Sequence, residues 1–267
     1  MVASVSLSFR ATYSHFRPEI RKSPNEAIPT NGHSTGRADG RHSRANAGLP
    51  ACYHRAIELP RVYPILDTET LARRGCAVET AAEAMLEGGA RILQFRHKGH
   101  YSRALFEQAE RVAALAGRAG ALFLIDDRAD IALLLDAGLH VGQDDLPPRD
   151  ARRLLGPHRI LGFSTHNPKQ LAGAVAEPVD YLAFGPVFAT RSKQNPHPVV
   201  GVRALQEAKK EASLPLVAIG GITRANALEV FAAGADSVAL IHDILPETCT
   251  FSTVRARMEE WQRLVKT

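Results

Sequence analysis

The chain has 267 residues, of which 45% are hydrophobic and 23% charged, enough apolar material for the core of a globular domain. No apolar run approaches the roughly 20 residues of a membrane helix, so we expect no membrane partner. Residues 1–60 hold eight Lys and Arg against four acids, and therefore most of the formal charge of +5. A near-neutral remainder argues against a dedicated nucleic-acid binder. The three cysteines form no C-x-x-C pair, which indicates neither disulfides nor zinc and agrees with a cytoplasmic protein.

Residues 1–59 show no sustained helical or strand period and are rich in Gly, Pro, Ser, Asn and Arg. Such a segment buries too little apolar surface to offset its chain entropy, so the composition predicts a disordered, basic N-terminal extension. Its first part is rich in Ser and Arg with few acids, as in an organelle transit peptide. A segment added by a wrongly assigned start codon has the same composition, and both interpretations stay open. Residues 60–267 are then predicted to form one domain.

Short apolar runs that alternate with helical patterns begin at Arg61. The predicted strands are residues 62–66, 91–95, 122–126, 139–142, 160–164, 181–185, 215–220 and 237–241. Helical patterns cover residues 71–89 and 103–120, and each of them ends in glycine. A further helix is predicted to begin with Asn167 as its N-cap and Pro168 at its first position.

Eight nearly continuous apolar strands alternating with helices indicate a parallel sheet that is buried on both faces. Eight such units in about 200 residues favour a single closed (β/α)8 TIM barrel, of class α/β, over an open doubly wound sheet. In a barrel, the chemistry lies in the loops at the carboxyl ends of the strands. The polar residues that follow the predicted strands are therefore the candidate site.

The segment after the second predicted strand offers two cations. Gln94, Arg96 and Lys98 alternate along an extended stretch and so share one side of it. A flat bidentate Arg and a point-charge Lys suit a diphosphate. The competing interpretation is an ordinary solvated strand end.

Two aspartates follow the third and fourth predicted strands. Asp127 and Asp145 can converge from neighbouring strands to hold Mg²⁺, which prefers a few carboxylates together with phosphate oxygens of the substrate. Acids that merely cap helices or occupy loops are the competing interpretation.

Three further features bear on the ligand. Gly220 and Gly221, with a helix expected to begin near Thr223, would present backbone N–H groups to an anion, or else form a simple tight turn. The loop of residues 189–200 is long for its position and is predicted to be either a cationic lid or a mobile surface loop. His166 is either an acid or base or a structural residue beside a helix cap.

The chain resembles the thiamine-phosphate synthase family over residues 62–244. The resemblance rests on seven phrases in the family's order: LQFRHKG, LIDDRADIAL, GLHVGQDDLP, LGFSTHN, DYLAFGPVFATRSKQ, VAIGGIT and AGADSVALI. It implies a TIM barrel and a transferase that joins a pyrimidine diphosphate to a thiazole phosphate. Its implied cofactor is Mg²⁺, and its implied partners are these two small phosphorylated molecules.

The resemblance also assigns roles to residues. Asp127 and Asp145 are implied to bind the metal. The residues implied to assist catalysis are Arg96, Lys98, Ser164 and Lys193. The segment implied to bind the pyrimidine diphosphate is Gln94, Phe95, Arg96, His97 and Lys98, with Asp126, Ser164 and Lys193. The residues implied to hold the thiazole phosphate are Thr190, Arg191, Ser192, Gly221, Ile241 and His242.

Two residues depart from the family pattern: Asp126 stands where the family has Asn, and His242 where it has Ser. An added carboxylate either repels a diphosphate or strengthens metal binding. The alternatives to a synthase are a thiazole tautomerase with His166 as proton shuttle, another sugar-phosphate barrel enzyme, and a non-catalytic sensor of thiamine phosphate. The oligomeric state, a homo-oligomer included, stays open.

Overall fold

The computed structural model describes residues 57–190 and 197–266, in which eight parallel strands form a closed barrel. The strands are β1 Val62–Asp67, β2 Ile92–Arg96, β3 Leu122–Asp126, β4 Gly138–Val141, β5 Leu161–Thr165, β6 Tyr181–Phe184, β7 Leu216–Ile219 and β8 Ser237–Leu240. Each strand pairs with its neighbours in chain order, and β8 closes the ring onto β1. The predicted TIM barrel is confirmed, and the open sheet is excluded.

Helices follow the strands around the ring. They are α1 Thr68–Arg73, α2 Val78–Glu87, α3 Arg103–Arg118, α4 Ala129–Leu134, α5 Pro148–Leu155, α6 Pro168–Ala174, α7 Gly201–Glu211, α8 Ala227–Ala232 and α9 Phe251–Val265. Within the described ranges no helix is long and apolar enough to cross a bilayer. The thiols of Cys76 and Cys249 are free, while Cys52 lies outside these ranges. The extension predicted for residues 1–59 lies almost wholly outside them too, and its boundary stays a prediction.

The helix predicted over residues 71–89 is wrong, because two helices occupy that stretch. A turn ends α1: the Gly75 amide donates to the Ala72 carbonyl at 3.0 Å and the Cys76 amide to the Leu71 carbonyl at 3.0 Å. This pattern satisfies the last carbonyls of α1 and terminates it. The start of α6 is as predicted, with the Asn167 side chain accepting from the Gln170 amide at 2.9 Å.

The core has two layers. An inner cluster fills the barrel and includes Tyr63, Ile65, Ile92, Leu124 and Tyr181, all at most 2% exposed. An outer cluster packs the opposite strand faces against the helices. Because alternate residues of each strand face the two layers, the strands are buried on both sides. The barrel is therefore a solid scaffold whose loops position the site.

Candidate active site

A cavity of about 790 Å³ opens at the carboxyl ends of the strands. The predicted site residues that line it are Gln94, Arg96, Lys98, Asp126, Asp127, Asp145, Ser164, Thr190, Gly221, Ile241 and His242. Arg191, Ser192 and Lys193, and with them half of the predicted lid, lie outside the described residues. The structure thus brings Arg96 and Lys98 to one site with the predicted acids.

Phe95 and His97 do not line this cavity, and their contact with a ligand stays a prediction. Phe95 is completely buried in the outer layer, against the helices. The His97 ring instead makes a hydrogen bond of 2.8 Å to the Thr68 hydroxyl and an edge contact with Tyr101. The reason is the period of two along an extended segment, which turns residues 95 and 97 away from the side that residues 94, 96 and 98 occupy.

A ladder of alternating charges crosses the rim from β1 to β3. Arg96 forms an ion pair with Asp67, and its Nε lies 3.4 Å from Oδ2 of Asp126. Lys98 Nζ lies 2.9 Å from the same Asp126 oxygen and also pairs with Asp127. Burial opposes the charge of Lys98, but Asp126 and Asp127 outweigh it and raise the pKa of Lys98. Lys98 is therefore held charged at the cavity, and both cations face carboxylates there.

Asp126 is the centre of this ladder and one of the two residues that depart from the pattern of the resemblance. Its buried Oδ2 makes ion-pair contacts but no hydrogen bond of good geometry within the described residues. The extra carboxylate is thus balanced by Arg96 and Lys98 while no ligand is present.

Sequence reasoning missed Asp67, which anchors Arg96. The carboxylate is 3% exposed, and its Oδ1 accepts from the Thr70 amide at 2.8 Å, which caps α1. Its other oxygen pairs with Arg96. Burial alone would raise the pKa of Asp67, but the Thr70 hydrogen bonds and the Arg96 charge outweigh burial and lower it. The sequence does contain a signal for this role: Asp67 shares one face of β1 with Tyr63 and Ile65, because side-chain direction alternates along a strand.

We expect Asp67→Asn to destabilise the fold and to weaken the hold on Arg96. The Asn amide oxygen can still cap α1, so this variant removes only the negative charge that balances Arg96. The Arg96 side chain is 11% exposed. Removing one partner of a buried pair costs about 3 kcal/mol in the free energy of unfolding. Urea unfolding measures this loss, with Glu69→Gln as the control because its ion pair with Arg73 is exposed. Equal stabilities of the two variants would contradict the anchoring role.

Asp127 and Asp145 stand side by side although they come from different loops. Asp127 has a φ of 63°, a backbone conformation that costs energy outside glycine. Its amide donates to the His140 carbonyl at 2.8 Å, which holds this conformation. Asp145 Oδ2 accepts from the Gly142 amide at 2.7 Å. Burial, the Asp126 charge and a hydrogen bond with Asp145 raise the pKa of Asp127 to about 7, against the opposing effect of Lys98.

The Gly220–Gly221 turn forms the opposite wall. Both residues have positive φ, 99° and 64°. A Cβ on Gly220 would lie 2.4 Å from Pro186 Cβ, and one on Gly221 2.4 Å from the Ala189 carbonyl oxygen. Glycine is therefore required here both by conformation and by the close approach of the loop after β6.

The helix predicted to begin near Thr223 is wrong in its boundary. It begins at Ala227, because Asn226 folds the intervening residues into a turn. The Asn226 side chain accepts from the Thr223 amide at 2.7 Å and donates to the Gly221 carbonyl at 3.1 Å. The glycine turn is thus stabilised by its own loop.

His166 lines the cavity in a fixed orientation. Its Nδ1 donates to the Gly185 carbonyl at 2.7 Å, and its ring stacks on His197 with centroids 3.7 Å apart. These two contacts hold the His166 ring against the cavity wall.

The cavity floor carries polar side chains that sequence reasoning also missed. They are Tyr63, His140 and Tyr181, which lie in otherwise apolar strands and point into the barrel. A polar residue at an inward position of a buried strand was the signal, since such groups need partners.

Comparisons with known proteins agree with one another. A family model described as thiamine monophosphate synthase matches residues 62–244. The thiamine-phosphate synthase of Koribacter versatilis is 45% identical over 192 residues, covering 71% of this chain and 90% of that protein. The enzyme of that name from Chloroflexus aurantiacus is 40% identical over 186 residues, covering 69% and 85%. The solved thiamine phosphate pyrophosphorylase from Pyrococcus furiosus has a TM-score of 0.66 at 33% identity, over 77% of this chain and 95% of that one.

A closed barrel with charged side chains lining a cavity at the carboxyl ends of its strands defines the class of (β/α)8-barrel enzymes. Within that class, the chain belongs to the thiamine-phosphate synthase family. This membership confirms the resemblance found in the sequence and the expected enzyme class, a transferase of thiamine biosynthesis.

Proposed function

We propose that the chain joins 4-amino-2-methyl-5-(diphosphooxymethyl)pyrimidine to a thiazole phosphate, giving thiamine phosphate and pyrophosphate. The observation that carries this proposal is the convergence of Arg96, Lys98, Asp127 and Asp145 on one cavity in a chain of this family. Two cations suit a diphosphate, and two carboxylates suit the metal that accompanies it.

Mg²⁺ fits the residues present. Asp127 and Asp145 supply hard oxygen donors near each other, and Mg²⁺ takes one or two carboxylates plus substrate phosphate oxygens. When bound, the ion would supply positive charge to a leaving diphosphate. Crowding of Asp126, Asp127 and Asp145 without a nearby cation would be unfavourable, and Lys98 is the protein's own counterion there.

The proposed reaction breaks the C–O bond between the pyrimidine methylene and the diphosphate, which departs with the electron pair. The thiazole nitrogen then donates its lone pair to the methylene carbon, forming the C–N bond. The aminopyrimidine ring stabilises the positive carbon, so the transition state is dissociative. Arg96, Lys98 and, by resemblance, Lys193 stabilise the negative charge that develops on the leaving group.

No proton needs to be removed from the thiazole nitrogen, so this reaction requires no strong general base. Positioning is the main task of the protein. The deep end of the cavity, with Gln94 and Ser164, holds the pyrimidine. The wall with Gly221, Ile241 and His242 takes the thiazole phosphate. By resemblance, Thr190, Arg191 and Ser192 also bind this phosphate.

One experiment tests the proposal. The purified chain is incubated with both phosphorylated substrates and Mg²⁺, and thiamine phosphate and pyrophosphate are quantified. Equal amounts of both products are expected. Conversion of the thiazole phosphate alone, without the pyrimidine, would support a tautomerase, and ligand binding with no product would support a sensor.

A further inference from the structure

A chain of hydrogen bonds crosses the floor of the barrel from one wall to the other. Gln94 Nε2 donates to the Tyr63 hydroxyl at 3.0 Å, and the Tyr63 and Tyr181 hydroxyls lie 2.9 Å apart. The Tyr181 hydroxyl lies 2.8 Å from His140 Nδ1, and His140 Nε2 lies 2.8 Å from Ser164 Oγ. The five residues come from β2, β1, β6, β4 and β5, so the chain joins opposite sides of the cavity.

The two tyrosines are the inner members of this chain and are shielded from solvent. Tyr63 is 1% exposed and Tyr181 0% exposed. Burial raises the pKa of both phenols far above their usual value, so each keeps one hydroxyl hydrogen at any physiological pH. A phenol with one hydrogen and two hydrogen-bond neighbours must donate to one of them and accept from the other.

The hydrogens along the chain must therefore run in one direction. With Gln94 Nε2 donating to Tyr63, Tyr63 donates to Tyr181 and Tyr181 to His140 Nδ1. His140 then carries its hydrogen on Nε2 and donates to Ser164 Oγ. The Gln94 carbonyl oxygen is left to accept from a ligand, and the Ser164 hydroxyl is left to donate to one. The reverse direction requires the Gln94 amide to rotate and exchanges both roles.

We propose that Tyr63 and Tyr181 are positioning residues that couple Gln94 to Ser164, so that the cavity selects a flat ring with a donor facing Gln94 and an acceptor facing Ser164. This inference rests on the proposed function, because an aminopyrimidine offers an amine donor and ring-nitrogen acceptors on one ring. A ring with the donor and acceptor exchanged would place an acceptor against the Gln94 carbonyl oxygen and a donor against the donating Ser164 hydroxyl. Both hydrogen bonds would then be lost together. Discrimination is strong where buried polar groups would be left unpaired.

The sequence of β5 accommodates this arrangement. Gly162 pairs with Tyr181 across the sheet, and a Cβ on Gly162 would lie 2.0 Å from Tyr181 Cζ. Any side chain at that position would displace the rigid phenol ring. The Tyr181 hydroxyl therefore reaches both neighbours only because residue 162 has no side chain.

The first test follows the tautomer of His140 by NMR, without any ligand. Protein labelled with ¹⁵N in its histidine rings is examined by long-range ¹H–¹⁵N correlation, and His140→Gln identifies the signals. We expect one neutral tautomer with hydrogen on Nε2. Tyr181→Phe removes the donor to Nδ1 and should give a mixture of tautomers, while Tyr101→Phe should not, since its hydroxyl has no hydrogen-bond partner among the described residues. An unchanged single tautomer in folded Tyr181→Phe would overturn the coupling.

The second test measures binding of the pyrimidine diphosphate by calorimetry. Gln94→Ala, Ser164→Ala and the double variant are compared in the wild-type background. The fold-loss of affinity in the double variant should be about fivefold smaller than the product of the fold-losses in the two single variants. In the Tyr181→Phe background the losses should multiply. Tyr63→Phe, which leaves the contact between Tyr181 and His140 intact, should also remove the coupling. Losses that multiply in the wild type, or coupling that persists in both variants, would refute the inference.

The two tests separate this inference from the proposed function. If Tyr181→Phe changes the His140 tautomer as expected but the wild-type protein does not bind the pyrimidine diphosphate, the substrate assignment is wrong and the hydrogen-bond chain stands. If it binds and turns over the pyrimidine without coupling between Gln94 and Ser164, the proposed function stands and the role of the tyrosines is wrong.

Discussion

Asp127→Ala and Asp145→Ala are each expected to lower turnover by roughly a hundredfold to a thousandfold at fixed Mg²⁺. Each variant removes one of two neighbouring carboxylates at the cavity. The remaining acid is a poor Mg²⁺ site by itself, because the ion relies on few protein ligands. Initial rates across a Mg²⁺ titration measure the effect, and partial recovery at high Mg²⁺ is expected.

Asp136→Asn is the matched control, because Asp136 follows α4 at the other end of the barrel and pairs with Arg159 in solvent. It should keep wild-type rates. Near wild-type activity of Asp127→Ala and Asp145→Ala in chelator-treated buffer would show that the metal assignment is wrong.

Lys98→Met is expected to slow pyrophosphate release in a single turnover by roughly a hundredfold or more, the usual cost of losing one group that stabilises developing charge. Methionine retains the length of the side chain and removes the charge. Lys98 is 43% exposed, so the folded state should survive, and thermal unfolding checks this. The rate at saturating substrate should fall more than the affinity, because the charge on the leaving group is largest in the transition state.

Lys210→Met serves as the comparison, since Lys210 forms an exposed pair with Glu207 on α7. Its single-turnover rate should equal that of the wild type. If Lys98→Met weakened binding but left the single-turnover rate unchanged, Lys98 would bind the ground state only and would not assist departure of the diphosphate.

The strands were predictable because a parallel barrel buries both of their faces. Every predicted strand has bounds within one residue of the observed ones. Helix boundaries were less predictable, as the turn between α1 and α2 shows. There a hydrophobic pattern continues past Gly75, and only the backbone hydrogen bonds of that turn reveal that α1 ends.

The charged residues at the cavity could be predicted from their charge and spacing, but the residues that hold them in place could not. Arg96 ends β2 and Lys98 lies two residues further on, and their positive charges at a strand end indicate an anion site. Asp67 acts through Arg96, a contact across β1 and β2 that no local pattern encodes. The link between Tyr63 and Tyr181 likewise joins residues 118 positions apart. Such pairings depend on which strands become neighbours, which only the closed barrel determines.

The seam between β1 and β8 has a practical consequence. Val62 pairs with Val238, and the Ser237 hydroxyl donates to the Pro60 carbonyl at 2.6 Å. The first and last strands are therefore joined by a regular parallel ladder, and the closed ring has no exposed strand edge to recruit a second molecule. A circular permutant that links the end of α9 to the start of β1 and opens the chain between α4 and β4 should assemble the same barrel.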